Sequence, residues 1–173
     1  SGGTTFSSTV NAATIALTDS KVSTTITFSD NVTLTTGLTV SAGTAAYNVV
    51  FNGASNTIAG ATTFLNTGTV TLGNDANDST AFTGGVTATA PSGKTINGTI
   101  TAAGTGVINL GTTGVTVSGS STVGGVSTGQ ITLGAATLAT GTTLTVGAGA
   151  ATPITLGTVN GSSGTPNLTI NTT

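Results

Sequence analysis

The sequence predicts an all-β chain, built as a β-solenoid in preference to a β-sandwich. Composition is the first reason. About a quarter of the 173 residues are Thr, and Gly, Ala, Ser, Val and Asn fill most of the rest. Thr and Val are stiff at χ1 and suit a pleated, half-buried surface, whereas Glu, Arg and Met, good helix formers, are missing altogether. The second reason is a recurring short pattern, apolar–Thr–apolar, stopped by Gly, Asn, Ser or Asp. Period 2 puts the apolar pair on one face and Thr on the other. The third is the shortage of aromatic anchors. There are five Phe and one Tyr, all five Phe lie before residue 83, and a sandwich core of longer antiparallel strands usually leans on such residues.

The pattern runs the length of the chain. It begins at Ile15-Ala16-Leu17, Thr25-Ile26-Thr27-Phe28, Val32-Thr33-Leu34, Leu38-Thr39-Val40 and Val49-Val50-Phe51. It continues at Val70-Thr71-Leu72, Val86-Thr87-Ala88, Thr99-Ile100-Thr101, Val107-Ile108-Asn109-Leu110 and Val115-Thr116-Val117. It ends at Ile131-Thr132-Leu133, Leu144-Thr145-Val146, Ile154-Thr155-Leu156 and Leu168-Thr169-Ile170. Strands this short, separated by Gly and Asn turns, leave little room for helix. In a solenoid each coil contributes such strands and like residues stack along the axis. Coils of ~20 residues stacked at ~4.8 Å would make a rod of roughly 40 Å.

Charge and residue inventory exclude several function classes. Only Asp19, Lys21, Asp30, Asp75, Asp78 and Lys94 are charged, and His, Cys, Glu, Arg, Met and Trp are absent. Two lysines and no arginine cannot build a phosphate-binding surface, so nucleic acid is not an expected partner. Without Cys there is no disulfide framework and no thiolate metal site. Nucleophilic catalysis by Ser or Thr would lack a His or Glu base, and no carboxylate pair has the setting of a glycosidase acid and nucleophile. No catalytic residue is therefore assigned, and the chain is not expected to be an enzyme. No stretch approaches the ~20 apolar residues of a membrane helix. The nearly uncharged, Cys-free composition suits a cell exterior.

The chain reads as one domain over residues 1–173, with two textures. Residues 1–85 hold every Phe, the Tyr and all four Asp and read as the less regular part; residues 86–173 read as more repetitive. Val70-Thr71-Leu72-Gly73 returns as Ile131-Thr132-Leu133-Gly134 and Ile154-Thr155-Leu156-Gly157. With the runs Thr67-Gly68-Thr69-Val70-Thr71-Leu72-Gly73-Asn74, Phe82-Thr83-Gly84-Gly85-Val86-Thr87-Ala88-Thr89-Ala90-Pro91 and Ile131-Thr132-Leu133-Gly134-Ala135-Ala136-Thr137-Leu138, the chain from about residue 60 onward resembles the β-strand repeats of very large bacterial surface proteins. These are the filamentous-haemagglutinin-like and autotransporter-passenger-like adhesins. The resemblance implies a right-handed, parallel β-helix-like solenoid, an extracellular location and a role in adhesion or matrix. It carries no catalytic residues. The alternative architecture is a β-sandwich filament subunit with donor-strand exchange.

The densest polar run is Asn74-Asp75-Ala76-Asn77-Asp78-Ser79-Thr80. Oxygens of Asp75, Asn77 and Asp78 would suit a hard cation, and Ca²⁺ is the one cofactor the sequence offers. The competing reading is a turn whose Asx side chains satisfy their own backbone, and the central Gly and closing Glu of an EF-hand loop are missing. Pro91-Ser92-Gly93-Lys94-Thr95 has the tail of a phosphate loop without its leading Gly, and reads as coincidence. Thr-x-Thr steps such as Thr69/Thr71 and Thr99/Thr101 leave a glycan- or ice-binding face as the alternative to a purely structural role.

Both ends read as strands without blocking Lys, Pro or charge, which usually guard a sheet edge. Self-association is expected through Thr5, Phe6 and Val10 at one end and Leu168 and Ile170 at the other. The expected partner is a second copy joined head to tail, or the rest of a longer surface protein.

Overall fold

The structure, a computed structural model, describes residues 2–147 and 151–172; Ser1 and Thr173 of the two terminal strand regions lie outside them. Among the described residues every element is a β-strand and every strand pairing is parallel, giving a β-solenoid of about seven turns. The chain winds through three faces per coil.

Face I is formed by β1 (Thr4–Phe6), β3 (Thr25–Phe28), β5 (Asn48–Phe51), β8 (Thr69–Leu72), the first half of β11 (Gly93–Ala102), the first part of β13 (Val115–Gly125), β15 (Ala136–Leu138) and β18 (Val159–Gly161). Face II runs from the first part of β2 (Val10–Leu17) and of β4 (Val32–Val40) through β6 (Ser55–Ile58) and β9 (Ser79–Phe82). It continues through the second halves of β11 and β13 to β16 (Thr143–Val146) and β19 (Asn167–Ile170). Face III takes the second parts of β2 and β4, then β7 (Thr62–Thr63), β10 (Val86–Thr87), β12 (Ile108–Asn109), β14 (Ile131–Leu133) and β17 (Ile154–Leu156). The long strands turn from one face to the next at register shifts, between Ala12 and Thr14 in β2 and between Ile96 and Gly98 in β11.

Apolar residues fill the core in columns. On face I the register Ile26–Val49–Val70–Lys94–Val115–Ala136–Val159 sets coils of 21 to 24 residues. The next inward column, Phe6–Phe28–Phe51–Leu72–Ile96–Val117–Leu138, runs beside it. Its three phenylalanines stack: ring centroids are 4.8 Å apart for Phe6 and Phe28 and 4.7 Å for Phe28 and Phe51, with interplanar angles of 6° and 15°. That spacing matches the ~4.8 Å between hydrogen-bonded strands, so identical residues in register stack automatically. Parallel strands must be covered on their inner side, and the column of alternating positions does this. Coil length is as even before residue 85 as after it, so the first half is ordinary solenoid with larger side chains inside.

The repeated Val/Ile-Thr-Leu-Gly motif does not mark one structural position. Val70-Thr71-Leu72 lies on face I, while Ile131-Thr132-Leu133 and Ile154-Thr155-Leu156 stack on each other on face III. The shared element is the corner after it. At Gly73 the backbone has φ +84°, and a Cβ would sit 2.0 Å from the carbonyl oxygen of Asn97 in the next coil. Gly73→Ala meets both the left-handed backbone and that carbonyl, so it is expected to lower stability by about 2 kcal/mol or more, read as a shifted urea midpoint.

Candidate functional site

Within the run at residues 74–80, residues 74–78 fold as a tight corner between faces I and II, closed by its own side chains, and Ser79 and Thr80 open β9. Asp78 is buried, and its Oδ2 accepts the backbone N–H groups of Asn74 (2.8 Å) and Asp75 (3.0 Å). With its amide nitrogen turned inward, Asn74 donates to the same oxygen at 2.8 Å and to the Asn52 carbonyl at 3.2 Å. Asp75 is exposed; its Oδ1 accepts the backbone N–H of Asn77 at 2.9 Å and the Asn77 side-chain amide at 2.8 Å. The side chains of Asp75 and Asn77 are therefore brought together in an Asx turn, while the Asp78 carboxylate binds back to the backbone N–H groups that open the corner. Among the described residues no three His, Cys, Asp or Glu side chains gather. Removing the buried Asp78 carboxylate strands two part-buried backbone donors, so Asp78→Ala is expected to lower stability by about 1 kcal/mol. Thermal melts of wild type with and without millimolar calcium complete that test, since a self-satisfied corner predicts no shift.

Lys94, to which the sequence assigned no role, is buried. It lies not in a phosphate-binding loop but at an inward position of face I, between Val70 and Val115, and is 3% exposed. Its Nζ donates to the Pro91 carbonyl oxygen at 3.4 Å and to Thr113 Oγ1. Burial holds its pKa below the usual lysine value because desolvation penalises the charged form. The inward period-2 position was legible, but a charge in a core column has no sequence signal beyond it.

The remaining carboxylates sit at corners near the first coils, Asp19 exposed and Asp30 half-buried. Asp19 accepts from Thr44 Oγ1 (2.6 Å) and from the Ser20 backbone (2.8 Å), and the Thr44 hydroxyl is the main reason its carboxyl is held below the usual range. Asp30 accepts from the Asn31 backbone (2.7 Å) and from Thr9 Oγ1 (3.0 Å), with the same sign and the Asn31 N–H the larger cause. A carboxylate whose folded pKa is depressed contributes stability above its unfolded pKa and loses it as pH falls through the folded value. Stability is therefore expected to decline on acidification below about pH 4, the ordinary Asp range, and Asp30→Asn should flatten part of that decline in a pH series of denaturant melts. Nearby, Tyr47 is fully buried and its hydroxyl donates to the Ser41 carbonyl at 2.6 Å.

Asn side chains bind coil to coil, a role the sequence did not reveal. Asn56, 1% exposed, accepts the Val32 N–H at 3.1 Å and donates to the Gly53 carbonyl at 2.9 Å and to Thr80 Oγ1 at 3.3 Å. Asn48 Oδ1 accepts the Thr69 N–H at 2.9 Å, and Asn31 Oδ1 the Ser55 N–H at 2.9 Å.

The outer surface carries hydroxyls in register. On face I the outward column reads Thr5–Thr27–Val50–Thr71–Thr95–Thr116–Thr137–Asn160. Among the described residues no pocket opens between these columns.

The residues expected to self-associate lie at the two opposite ends of the stack. Thr5 points outward and is exposed; Phe6 and Val10 point inward and are half-buried, because β1 and the first part of β2 have a partner strand on one side only. At the other end, among the described residues, β19 pairs only with β16, and its inward Leu168 and Ile170 remain 44% and 48% exposed. Comparison of the chain with protein-family models, with curated proteins and with solved structures finds no match in any of the three.

Proposed function

We propose that this chain is a structural segment or subunit of an extracellular surface assembly, such as a fibre, a surface layer or an adhesin stalk, that self-associates through its strand edges. The observation that carries the reading is the continuation of the core columns to both ends of the stack, where half-exposed apolar side chains flank unpaired parallel edges. An edge in this state is a template for another strand. The resemblance to adhesin repeats and the nearly uncharged composition support the exterior location, and the inventory of side chains supports a non-catalytic role. Solution scattering and light scattering test it. The expected result is an elongated particle whose mass grows with concentration, slow to be cut by broad-specificity protease; a compact monomer at all concentrations, rapidly degraded, overturns it.

A second reading, a carbohydrate- or ice-binding module, draws on the face I hydroxyl column. Thr71, Thr95, Thr116 and Thr137 follow one another at consecutive coils without interruption. Ice-recrystallisation inhibition or a positive glycan array with the isolated chain would favour it over the structural role.

A further inference from the structure

The two ends of the stack do not finish on the same face. The first strand, β1, lies on face I and the last, β19, on face II; among the described residues faces I and II hold eight strands and face III seven. Each end is thus a one-coil ramp with a step. At the first coil the step lies just before face I, and at the last coil it lies just before face III.

A second copy placed with like faces aligned would put its β1 beneath β18 and the first part of its β2 beneath β19. Its face III strand would then sit two layers below β17, leaving a gap one strand deep. In that arrangement Thr4 would continue the column of Val159, and Phe6 that of Gly161. Turning the second copy by one face removes the gap. Its β1 then lies beneath β17, the first part of β2 beneath β18 and the second part beneath β19.

Chemistry favours the turned arrangement. The inward neighbours become Leu156 with Phe6, Val159 with Val10 and Leu168 with Ile15, and all six are incompletely buried in the single chain. The corner between β18 and β19 also fits. The chain leaves Gly161 and returns to it, since a Cβ on Gly161 would lie 2.4 Å from Pro166 Cγ, so residues 162–165 are an outward excursion. Without that excursion the corner from Gly161 to Leu168 spans the same three steps as the corner from Ala12 to Ile15. The junction repeats the parallel, apolar-inside stacking of every coil pair within the chain, and no charged side chain stands among the residues that meet.

We propose that copies of this chain join end to end with a rotation of one face, the β17–β18–β19 ramp receiving the β1–β2 ramp of the next copy. The inference rests on the self-association reading and adds its register. Contacts of this kind are heterologous and do not close, so the product is a filament.

The chain has no cysteine, which makes paired substitutions a clean test. Thr5, Thr155 and Asn160 are all exposed and outward on strands at the two ends. The ends lie about seven strand spacings of ~4.8 Å apart, so no bond can form within one molecule. In the turned register Thr5 faces Thr155 of the next copy; with like faces aligned it faces Asn160. After mild oxidation, the Thr5→Cys/Thr155→Cys variant should give a ladder of disulfide-linked oligomers on a non-reducing gel. Because disulfide geometry is strict, about tenfold less is expected from Thr5→Cys/Asn160→Cys. The reverse ratio, or equal ladders from both, overturns the register. So does a wild type that grows in mass by light scattering while neither pair cross-links, and in these three cases the association itself stands. A wild type that stays monomeric with no cross-link in either pair removes the association as well.

Discussion

Phe28→Ala is expected to lower the unfolding free energy by about 3–5 kcal/mol, the range for emptying a fully buried aromatic site. Phe28 is 0% exposed and sits between Phe6 and Phe51, with both ring faces occupied. Truncation removes two stacked contacts and leaves a cavity in a column whose neighbours are fixed by hydrogen-bonded strands. Such walls cannot collapse inward without breaking inter-coil bonds, which places the cost toward the upper end. A solenoid adds a second consequence. Stability in stacked repeats is a sum of coil terms and nearest-neighbour terms, so damage in one coil weakens the segment beyond it first. Hydrogen exchange should accordingly show the first coil opening below the free energy of the rest, with the coils after residue 85 keeping wild-type protection. Phe28→Leu, which retains most of the volume, should recover more than half of the loss. Equal loss of protection throughout the chain would mean that the stack unfolds as one unit and that the coils are not energetically separable.

How far the sequence reveals this fold depends on which residues occupy the inward positions. Where they are Val, Ile, Leu or Phe with Thr between, as in Thr25–Phe28, Thr69–Leu72 and Thr143–Val146, strand, facing and outward Thr all follow from period 2. Where an inward position is polar, the pattern is lost. Ser55–Ile58 and Ser79–Phe82 are core strands that place Asn56 and Thr80 inside, and their alternation reads as loop because the compensating hydrogen bonds join residues 24 apart. Val159–Gly161 escapes notice because its Gly carries too little apolar surface to mark a face. The polar cluster around Asp75, Asn77 and Asp78 was legible as a turn, since Asn and Asp bind nearby backbone N–H groups in many contexts. The assignment of each strand to a face was not legible. It depends on corner lengths, and a motif such as Val70-Thr71-Leu72-Gly73 serves equally well on face I or face III.

Lys94→Met is expected to stabilise the chain, by about 1 kcal/mol at neutral pH. A buried polar or charged group without a charge partner costs more than an apolar side chain of similar length, and Met fits irregular space readily. In the wild type the ammonium has, among the described residues, only the Pro91 carbonyl and the Thr113 hydroxyl to replace its water, and its flanking residues Val70 and Val115 are apolar. Because burial lowers the folded-state pKa, the unfolded chain binds the proton more tightly than the folded one. The lysine penalty is then complete at pH below the folded pKa, shrinks as pH rises through it, and is gone above the ordinary value of 10.5. Stability of the wild type should therefore rise relative to Lys94→Met across that alkaline interval. Tyr47 acts in the opposite sense. Burial raises its folded pKa above 10.0, so the stability tied to its protonated form falls away at higher pH. Tyr47 is common to both proteins, and the difference between the two denaturation curves isolates Lys94. A gap between wild type and variant that narrows from pH 7 to pH 10 is the expected outcome. A pH-independent gap would mean that Lys94 acts through packing of its methylenes, and a destabilised Lys94→Met would mean that its two hydrogen bonds outweigh the cost of burying the charge.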